Sequence, residues 1–476
     1  MVEAMQWGLF IPELYFLFMI GVFFCLSMLV RPNPKRDYFV ALCLASVGIV
    51  ICLVSVRLEG TLFFEVYRVD LFSQVFKAIL ATGLFLVICI CSELIGIDER
   101  YHPEFYLLLT TCTLAMMLLV SSVELLTIYL ALELSSYSLY ILVPLRRGYG
   151  VHVESGIKYF LVGAFASAVM LFGIASLYGV IHTTYVAEII KVLPGVIGRP
   201  AAIIGLLLTL CGFFFKLAVF PFHFWAPDAY QGAANQVTAY IATASKVAAV
   251  AILIRMIALS SGASTYLVHA LVALSIASMT VGNLVAIMQK DMKRLLAYSS
   301  ISHAGYVLIG ILSMNQSGYA GAIFYAVAYL VMTFTCFLVV VKVAYDGSDL
   351  KIAQLAGLHR RSPILAMALM LGAFSLAGIP PTIGFTGKFL VFVAAMKQGY
   401  FTLVLIAMIN VVISLYYYIL IVRAAYLLES DDDLPRLQVS IPTKILTGAL
   451  VSVMIVFGVF PQHLIEVAKA AARALM

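Results

Sequence analysis

The chain has 476 residues, 64% of them hydrophobic and 11% charged, with a mean hydropathy of +1.08. That balance excludes a soluble globular protein and leaves no room for a sizeable soluble domain, so the polypeptide reads as all-α and polytopic. The net charge of +6 does not argue for nucleic acid, because the Lys and Arg residues fall in short loops between apolar runs, where membrane orientation accounts for them.

Apolar segments of about 20 residues predict about fourteen transmembrane helices. Their cores run 9–29, 38–56, 71–92, 105–122, 125–144, 157–181, 201–225, 236–258, 266–288, 295–313, 319–343, 364–396, 400–427 and 444–461. The first is long enough to be a retained span and not a cleaved leader. Cysteines 25, 43, 52, 89, 91, 112, 211 and 336 lie in apolar runs without a C-x-x-C pair and read as small packing residues. Arg31, Lys35, Arg36, Arg146, Arg147, Lys290, Lys293, Arg294, Lys351, Arg360 and Arg361 fall on one side, which the positive-inside rule makes the cytoplasm. An even number of crossings then puts both termini on the other face, periplasmic in a bacterial inner membrane.

The seventh span is the most costly to place. Its stretch GFFFKLAVFPFHFW carries Lys216, Pro221 and His223, and an ammonium near the bilayer centre costs about 2.5–3.5 kcal/mol on the lenient insertion scale. Pro221 has no amide to donate and clashes with the carbonyl four residues back, so the helix is expected to break just after Lys216. A second interrupted span follows at LGAFSLAGIPPTIGFTGKF, with Pro380 and Pro381 ahead of Lys388. Gly212 and Pro221 match Gly372 and Pro381 at equal spacing, and GIKYFLVGAF at Gly156 resembles GAIFYAVAYL at Gly321. Matches offset by roughly 160 residues indicate two repeats of five spans, inverted because five is odd. The expected organisation is an N-terminal three-helix segment (1–104), a first five-helix repeat (105–258), a second (266–428) and a C-terminal helix (444–476).

Several ionisable groups fall inside these spans, where the default reading is functional. Glu133 lies mid-run in the fifth span and calls for a cation; Lys216 is the chosen partner. In such a pair, moving the partner changes the proton affinity of each group. Lys246 stands among small Ala and Ser residues in the eighth span. His223 and His303 are candidate relays through their near-neutral titration. Lys158 and Lys77 lie near span ends and read chiefly as interface anchors, with Lys158 also a candidate relay, and Glu104 opens the fourth span as a candidate uptake or coupling group. The acidic stretch ESDDDLP after the thirteenth span reads as a solvated loop. No phosphate loop, dinucleotide fingerprint or metal-ligand spacing is present in the sequence, so energy is expected from an ion gradient or a partner.

The motifs KLAVFPFHFWAPDAYQGA, ESGIKYFLVGAFASAVMLFG, QKDMKRLLAYSSISHAGYVLIG and AGIPPTIGFTGKF resemble those of the antiporter-like membrane subunits of respiratory complex I, most closely the subunit N type. The resemblance is strongest from about Leu125 to Val422. It implies proton translocation along a buried axis of Glu133, Lys216, Lys246 and Lys388, coupled to NADH oxidation and quinone reduction elsewhere. It implies no cofactor in this chain; NADH, flavin, iron–sulfur clusters and quinone belong to partner subunits, and the partners are the other membrane subunits of the complex. Relatives of the M type have Glu where Lys388 stands, and those of the L type extend into a long lateral helix, so neither fits as well. The rival readings are a stand-alone cation/proton antiporter module, lowered by the lack of a carboxylate cage, and a scaffold whose buried charges only specify packing.

Overall fold

A computed structural model describes residues 7–146, 151–258, 265–428 and 436–475; the acidic stretch at 429–435 lies outside them. Among the described residues, 13 helices are long and apolar enough to cross a membrane. The exception to the expected fourteen is the twelfth span, which is divided into Pro363–Ala377 and Ile383–Lys397. The seventh is divided too, into Pro200–Leu217 and Trp225–Gly232. Among the described residues the regular structure is helical apart from a two-stranded hairpin, Gly60–Leu62 with Tyr67–Val69.

Burial sorts the helices into layers. The eighth span, Asn235–Ala258, is wholly enclosed, and the tenth and eleventh, Met292–Leu312 and Gln316–Val343, are 94% buried, whereas the second and fourteenth are 28% buried. Since lipid is as apolar as a leucine core, hydropathy alone does not separate these classes. The enclosed helices carry the polar residues: Ser299, Ser300, Ser302 and His303 on the tenth are all buried.

Both interruptions are built alike. Ala218 (φ 61°) and Gly378 (φ 86°) each take the left-handed conformation that ends a helix. Val219 N donates to Phe214 O at 2.9 Å and Ile379 N to Phe374 O at 2.9 Å, the six-to-one bond of a Schellman cap. Phe220–Pro221 and Pro380–Pro381 are both cis. The sequence expectation that Pro221 ends the helix beyond Lys216 is met at Leu217. Three segments were not legible in advance: the helix Val186–Val196, the short Trp225–Gly232 and an amphipathic helix, Gln462–Arg473, after the fourteenth span. This last helix is anchored where Arg68 donates to Ala474 O and Gln316 to Lys469 O, both 3.4 Å. The hairpin and the C-terminal helix thus occupy the same end of the bundle.

The N-terminal three-helix segment is fastened to the eighth span by a bidentate ion pair. Arg255, 1% exposed, donates Nη1 to Asp70 Oδ2 at 3.0 Å and Nη2 to Oδ1 at 2.9 Å. Asp70 also caps the third span by accepting from Ser73 N at 2.8 Å. Burial alone would raise the Asp70 carboxyl, but the Arg255 guanidinium overrides it and holds the group below the usual aspartate value of 3.8. Asn in place of Asp70 keeps the cap and deletes the charge, leaving Arg255 buried and unpaired. Asp70→Asn is expected to destabilise the detergent-solubilised protein by about 3–5 kcal/mol, read as a lowered thermal midpoint. In the wild type the stabilisation that accompanies the lowered Asp70 carboxyl is complete above pH 3.8 and is lost as pH falls through the lower folded value.

Candidate functional site

Breaking a helix inside lipid frees backbone groups that must find partners within the protein. At the first break Trp225 Nε1 donates to Phe215 O at 2.9 Å, and Phe220 N donates to Ser278 Oγ of the ninth span at 3.0 Å. The Leu217 carbonyl accepts from Lys246 Nζ at 3.0 Å. At the second break Gly384 N donates to Ser375 Oγ at 3.1 Å, and the Leu376 and Ala377 carbonyls accept from Lys388 Nζ at 2.8 and 2.9 Å. Leu217 and Ala377 occupy equivalent positions, each one residue before the left-handed cap. Two lysines from non-equivalent places thus neutralise the same carbonyl in the two repeats, at the negative end of a half-helix dipole.

Lys216 precedes Leu217 and is buried on the other side of the break. Its Nζ donates to Ser135 Oγ at 2.8 Å and Ser136 Oγ at 3.2 Å, on the fifth span. Glu133 lies on that same helix but bonds elsewhere, accepting from Ser167 Oγ of the sixth. The expected direct contact between Glu133 and Lys216 is therefore not formed: among the described residues neither is in an ion pair. The reason is local geometry, since Ser135 and Ser136 sit two and three residues along from Glu133 and reach Lys216 first.

Lys246 follows a π-helical turn, Ile241–Ser245, a rare distortion often found where a helix carries function. Besides the Leu217 carbonyl it bonds Ser300 Oγ at 2.8 Å. A cavity of 10 Å³, lined among others by Leu217, Lys246, Ser300, His303 and Tyr329, lies between Lys246 and His303, about the space of one water. His303 Nδ1 is 2.6 Å from the Tyr325 hydroxyl and Nε2 is 3.1 Å from that of Tyr418. Lys388 Nζ stands 4.8 Å from the Tyr306 ring centroid, a cation–π contact, and that ring meets His303 edge-on at 5.9 Å. Lys216, Lys246, His303 and Lys388 consequently form one buried row across both repeats, with Glu133 beside its first member.

The remaining expected residues fall outside this row. His223 is buried next to Pro221, with its ring between Phe220 and Phe224 at 5.4 and 4.3 Å and its Nδ1 without a protein partner. Glu104 accepts from Ser27 Oγ at 2.7 Å. Lys158 is half exposed and paired with Glu154 at 2.7 Å and Asp228 at 3.3 Å. Lys77, expected as an interface anchor, is instead fully enclosed and in contact with Glu13 at 2.8 Å. Lys293 and Arg146, counted above as loop charges, are also structural surprises. Lys293 is 0% exposed, donating to Gln231 O and Ala233 O and pairing with Asp349 at 2.8 Å, and Arg146 meets the same carboxylate at 2.7 Å. Burial raises the Asp349 carboxyl less than Lys293 and Arg146 lower it. Ser135, Ser136, Ser167 and Ser300 escaped the sequence reading because a lone serine in a membrane helix carries no signal until its partner is known.

Comparison with known proteins agrees over almost the whole chain. The family model described as NADH:quinone oxidoreductase/Mrp antiporter, TM, matches residues 122–414. The chain is 63% identical, over 99% of its own length and 100% of the relative's, to a protein of Syntrophobacter fumaroxidans named NADH-quinone oxidoreductase subunit N 2. It is 41% identical, over 96% of each chain, to a protein of the same name from Opitutus terrae. A chain in the structure of respiratory complex I from Thermus thermophilus with bound aureothin is similar at 30% identity and a TM-score of 0.83, covering 96% of this chain and 98% of that one. A chain of the Mrp complex from Dietzia sp. DQ12-45-1b, 20% identical with a TM-score of 0.87 over 99% and 98% of the two, shares the fold.

The paired breaks generate a stability test. A Cβ on Gly378 would stand 3.0 Å from Lys388 Cδ, at a left-handed φ of 86°, whereas Ala218 already adopts φ 61° with its methyl packed in the core. Gly378→Ala is expected to lower stability by about 1–2 kcal/mol, while Ala218→Gly stays within about 0.5 kcal/mol because relieved strain offsets added unfolded-state freedom. Thermal denaturation of the two purified variants beside the wild type measures both.

Proposed function

This chain belongs to the NADH:quinone oxidoreductase/Mrp antiporter family as a subunit N type member, and on that premise we propose that its buried row of Lys216, Lys246 and Lys388, with Glu133 at one end, carries the protons. The protein is a proton-translocating, multi-pass membrane subunit of NADH-quinone oxidoreductase, and works among the other membrane subunits of complex I. In our reading NADH, flavin, iron–sulfur clusters and quinone reside in partner subunits. Among the described residues no three His, Cys, Asp or Glu side chains come together as a metal site. We assign the chain to a bacterial inner membrane with both termini periplasmic, and divide it as a three-helix segment (1–104), two five-helix repeats (105–258 and 266–428) and a C-terminal helix (444–476).

The observation that carries this reading is the shared use of one carbonyl position by two lysines. Each ammonium rests on neutral acceptors, with no carboxylate within ion-pair distance among the described residues. A lysine locked to a carboxylate pays to lose its proton, because the loss leaves an unpaired buried anion. A lysine on hydroxyls does not: Ser135 and Ser136 can turn and donate to a neutral amine, so Lys216 has partners in both states. The carbonyls at Leu217, Leu376 and Ala377 only accept, and they orient Lys246 and Lys388 toward the space around His303. Glu133 supplies a charge two residues from the serines, so a change in its protonation is felt at Lys216 through low-dielectric surroundings. Outward transfer works against the membrane potential, about 2.3 kcal/mol per charge per 100 mV, which electron transfer in the partners must supply.

Lys216→Ala is expected to leave the subunit inserted, since apolar alanine suits lipid, yet to abolish or strongly reduce coupled proton transfer. Vesicles of the assembled complex that accumulate protons at the wild-type rate would overturn the assignment. Glu133→Gln preserves the bond from Ser167 and removes the charge, so turnover is expected to fall severalfold with assembly intact; normal turnover would detach Glu133 from the row.

A further inference from the structure

A second buried ion pair lies outside the row just described. Glu13 of the first span and Lys77 of the third have fully enclosed side chains in contact at 2.8 Å. Beyond this contact Lys77 Nζ has no further protein acceptor among the described residues. Glu13 Oε1 accepts from the Tyr67 hydroxyl at 2.8 Å, and Lys77 Nζ stands 5.2 Å from the Tyr67 ring centroid. Glu13 Oε2 and both side-chain polar atoms of Gln74 are buried without protein partners. Gln74 lies one helical turn from Lys77 on the same face, and the Tyr67–Ser122 bridge brings the end of the fourth span alongside.

A structural ion pair repays its desolvation only when further hydrogen bonds satisfy the remaining protons and lone pairs. This pair has one, from Tyr67 to Glu13 Oε1, and leaves Glu13 Oε2 and the remaining Lys77 protons without partners. A pair that shuttles a proton has a lower-cost alternative, because transfer from ammonium to carboxylate leaves two neutral groups.

Its position is equally specific. The third span runs antiparallel to the eighth, with a Cβ on Gly83 placed 3.0 Å from Ala244 Cβ at one level and Asp70 bound to Arg255 at another. Lys77 lies between those levels, beyond Lys246 on the side of the hairpin and of the C-terminal helix. From the pair, Tyr67 leads through the hairpin to Asp70 and to Arg68, whose side chain is 44% exposed and 3.4 Å from Asp70.

We propose that Glu13 and Lys77 form a second proton-carrying site, on the outward side of Lys246, that releases protons toward the face bearing the chain termini. From the ion pair, Lys77 passes a proton to Glu13, breaking an N–H bond and forming an O–H bond, which leaves two neutral groups. As the carboxyl releases that proton from Oε2, the oxygen not held by Tyr67, a proton arriving from within binds the Lys77 amine and restores the ion pair, so one proton enters for each that leaves. The site rests on the proton-translocating reading of the chain and not on the identity of the row through Lys216.

The test uses the whole complex in sealed membrane vesicles, with protons moved per NADH oxidised as the readout. Lys77→Arg keeps a cation for Glu13 but cannot deprotonate. A structural pair is rescued by this change; a proton carrier is not. The expected result is assembled complex whose proton-to-NADH ratio falls as far as that of Lys216→Ala measured alongside. Assembled Lys77→Arg with the wild-type ratio overturns the site. Should Lys77→Arg fail to assemble, the neutral double variant Glu13→Gln with Lys77→Met decides: assembly with a reduced ratio supports the site, and a wild-type ratio or a second failure to assemble overturns it. A wild-type ratio in Lys216→Ala beside a reduced one in Lys77→Arg would sink the row and leave this site standing.

Discussion

A carbonyl freed in the middle of a membrane has no water to turn to, and in this protein a lysine answers it in both repeats. Lys246 bonds the Leu217 carbonyl and Lys388 the Ala377 carbonyl, so the break and the buried cation each make the other tolerable. Without the ammonium the last carbonyls of the half-helix would be unsatisfied, at several kcal/mol each in hydrocarbon. Without the break the ammonium would have only apolar surroundings. The left-handed caps at Ala218 and Gly378, the cis prolines and the serines around them follow from fitting this one arrangement twice.

Two kinds of buried charge coexist in the bundle, and they behave differently. Asp70 with Arg255, and Asp349 with Lys293 and Arg146, are ion pairs with short contacts that fasten one helix group to another. The lysines of the row rest on hydroxyls and carbonyls, whose dipoles support a charge without demanding that it stay. The same side chain is thus a rivet at Lys293, where a carboxylate and two carbonyls hold the ammonium, and a movable charge at Lys246, where only a carbonyl and a hydroxyl do.

Much of this was legible in the sequence because hydropathy and proline have consequences in lipid that they lack in water. A mean hydropathy far above soluble proteins required helices, and prolines at matched spacing next to lysines required breaks and a repeat. What stayed hidden were contacts between residues distant in the chain. Glu133 and Lys216 looked like partners because nothing in a linear string shows Ser135 and Ser136 standing between them. Lys77 and Lys293 sit near span ends, where snorkelling is the ordinary fate of lysine, and only the fold reveals Glu13 and Asp349 opposite them. The amphipathic C-terminal helix escaped because it lies against protein and not across the membrane, so its alternation gives no hydropathy peak.

The three N-terminal helices emerge first from the ribosome, but not all of their neighbours follow at once. The third span is fixed by Arg255, 185 residues after Asp70, and its hairpin is met by the Ala474 carbonyl, 406 residues after Arg68. The final helix closes over the eleventh span as well, through Gln316 and Lys469. Part of the first segment to enter the membrane therefore finds its permanent surroundings only when synthesis is nearly complete. Glu13, Tyr67 and Lys77 all lie within that segment, so their mutual contacts are available to it while the rest is made.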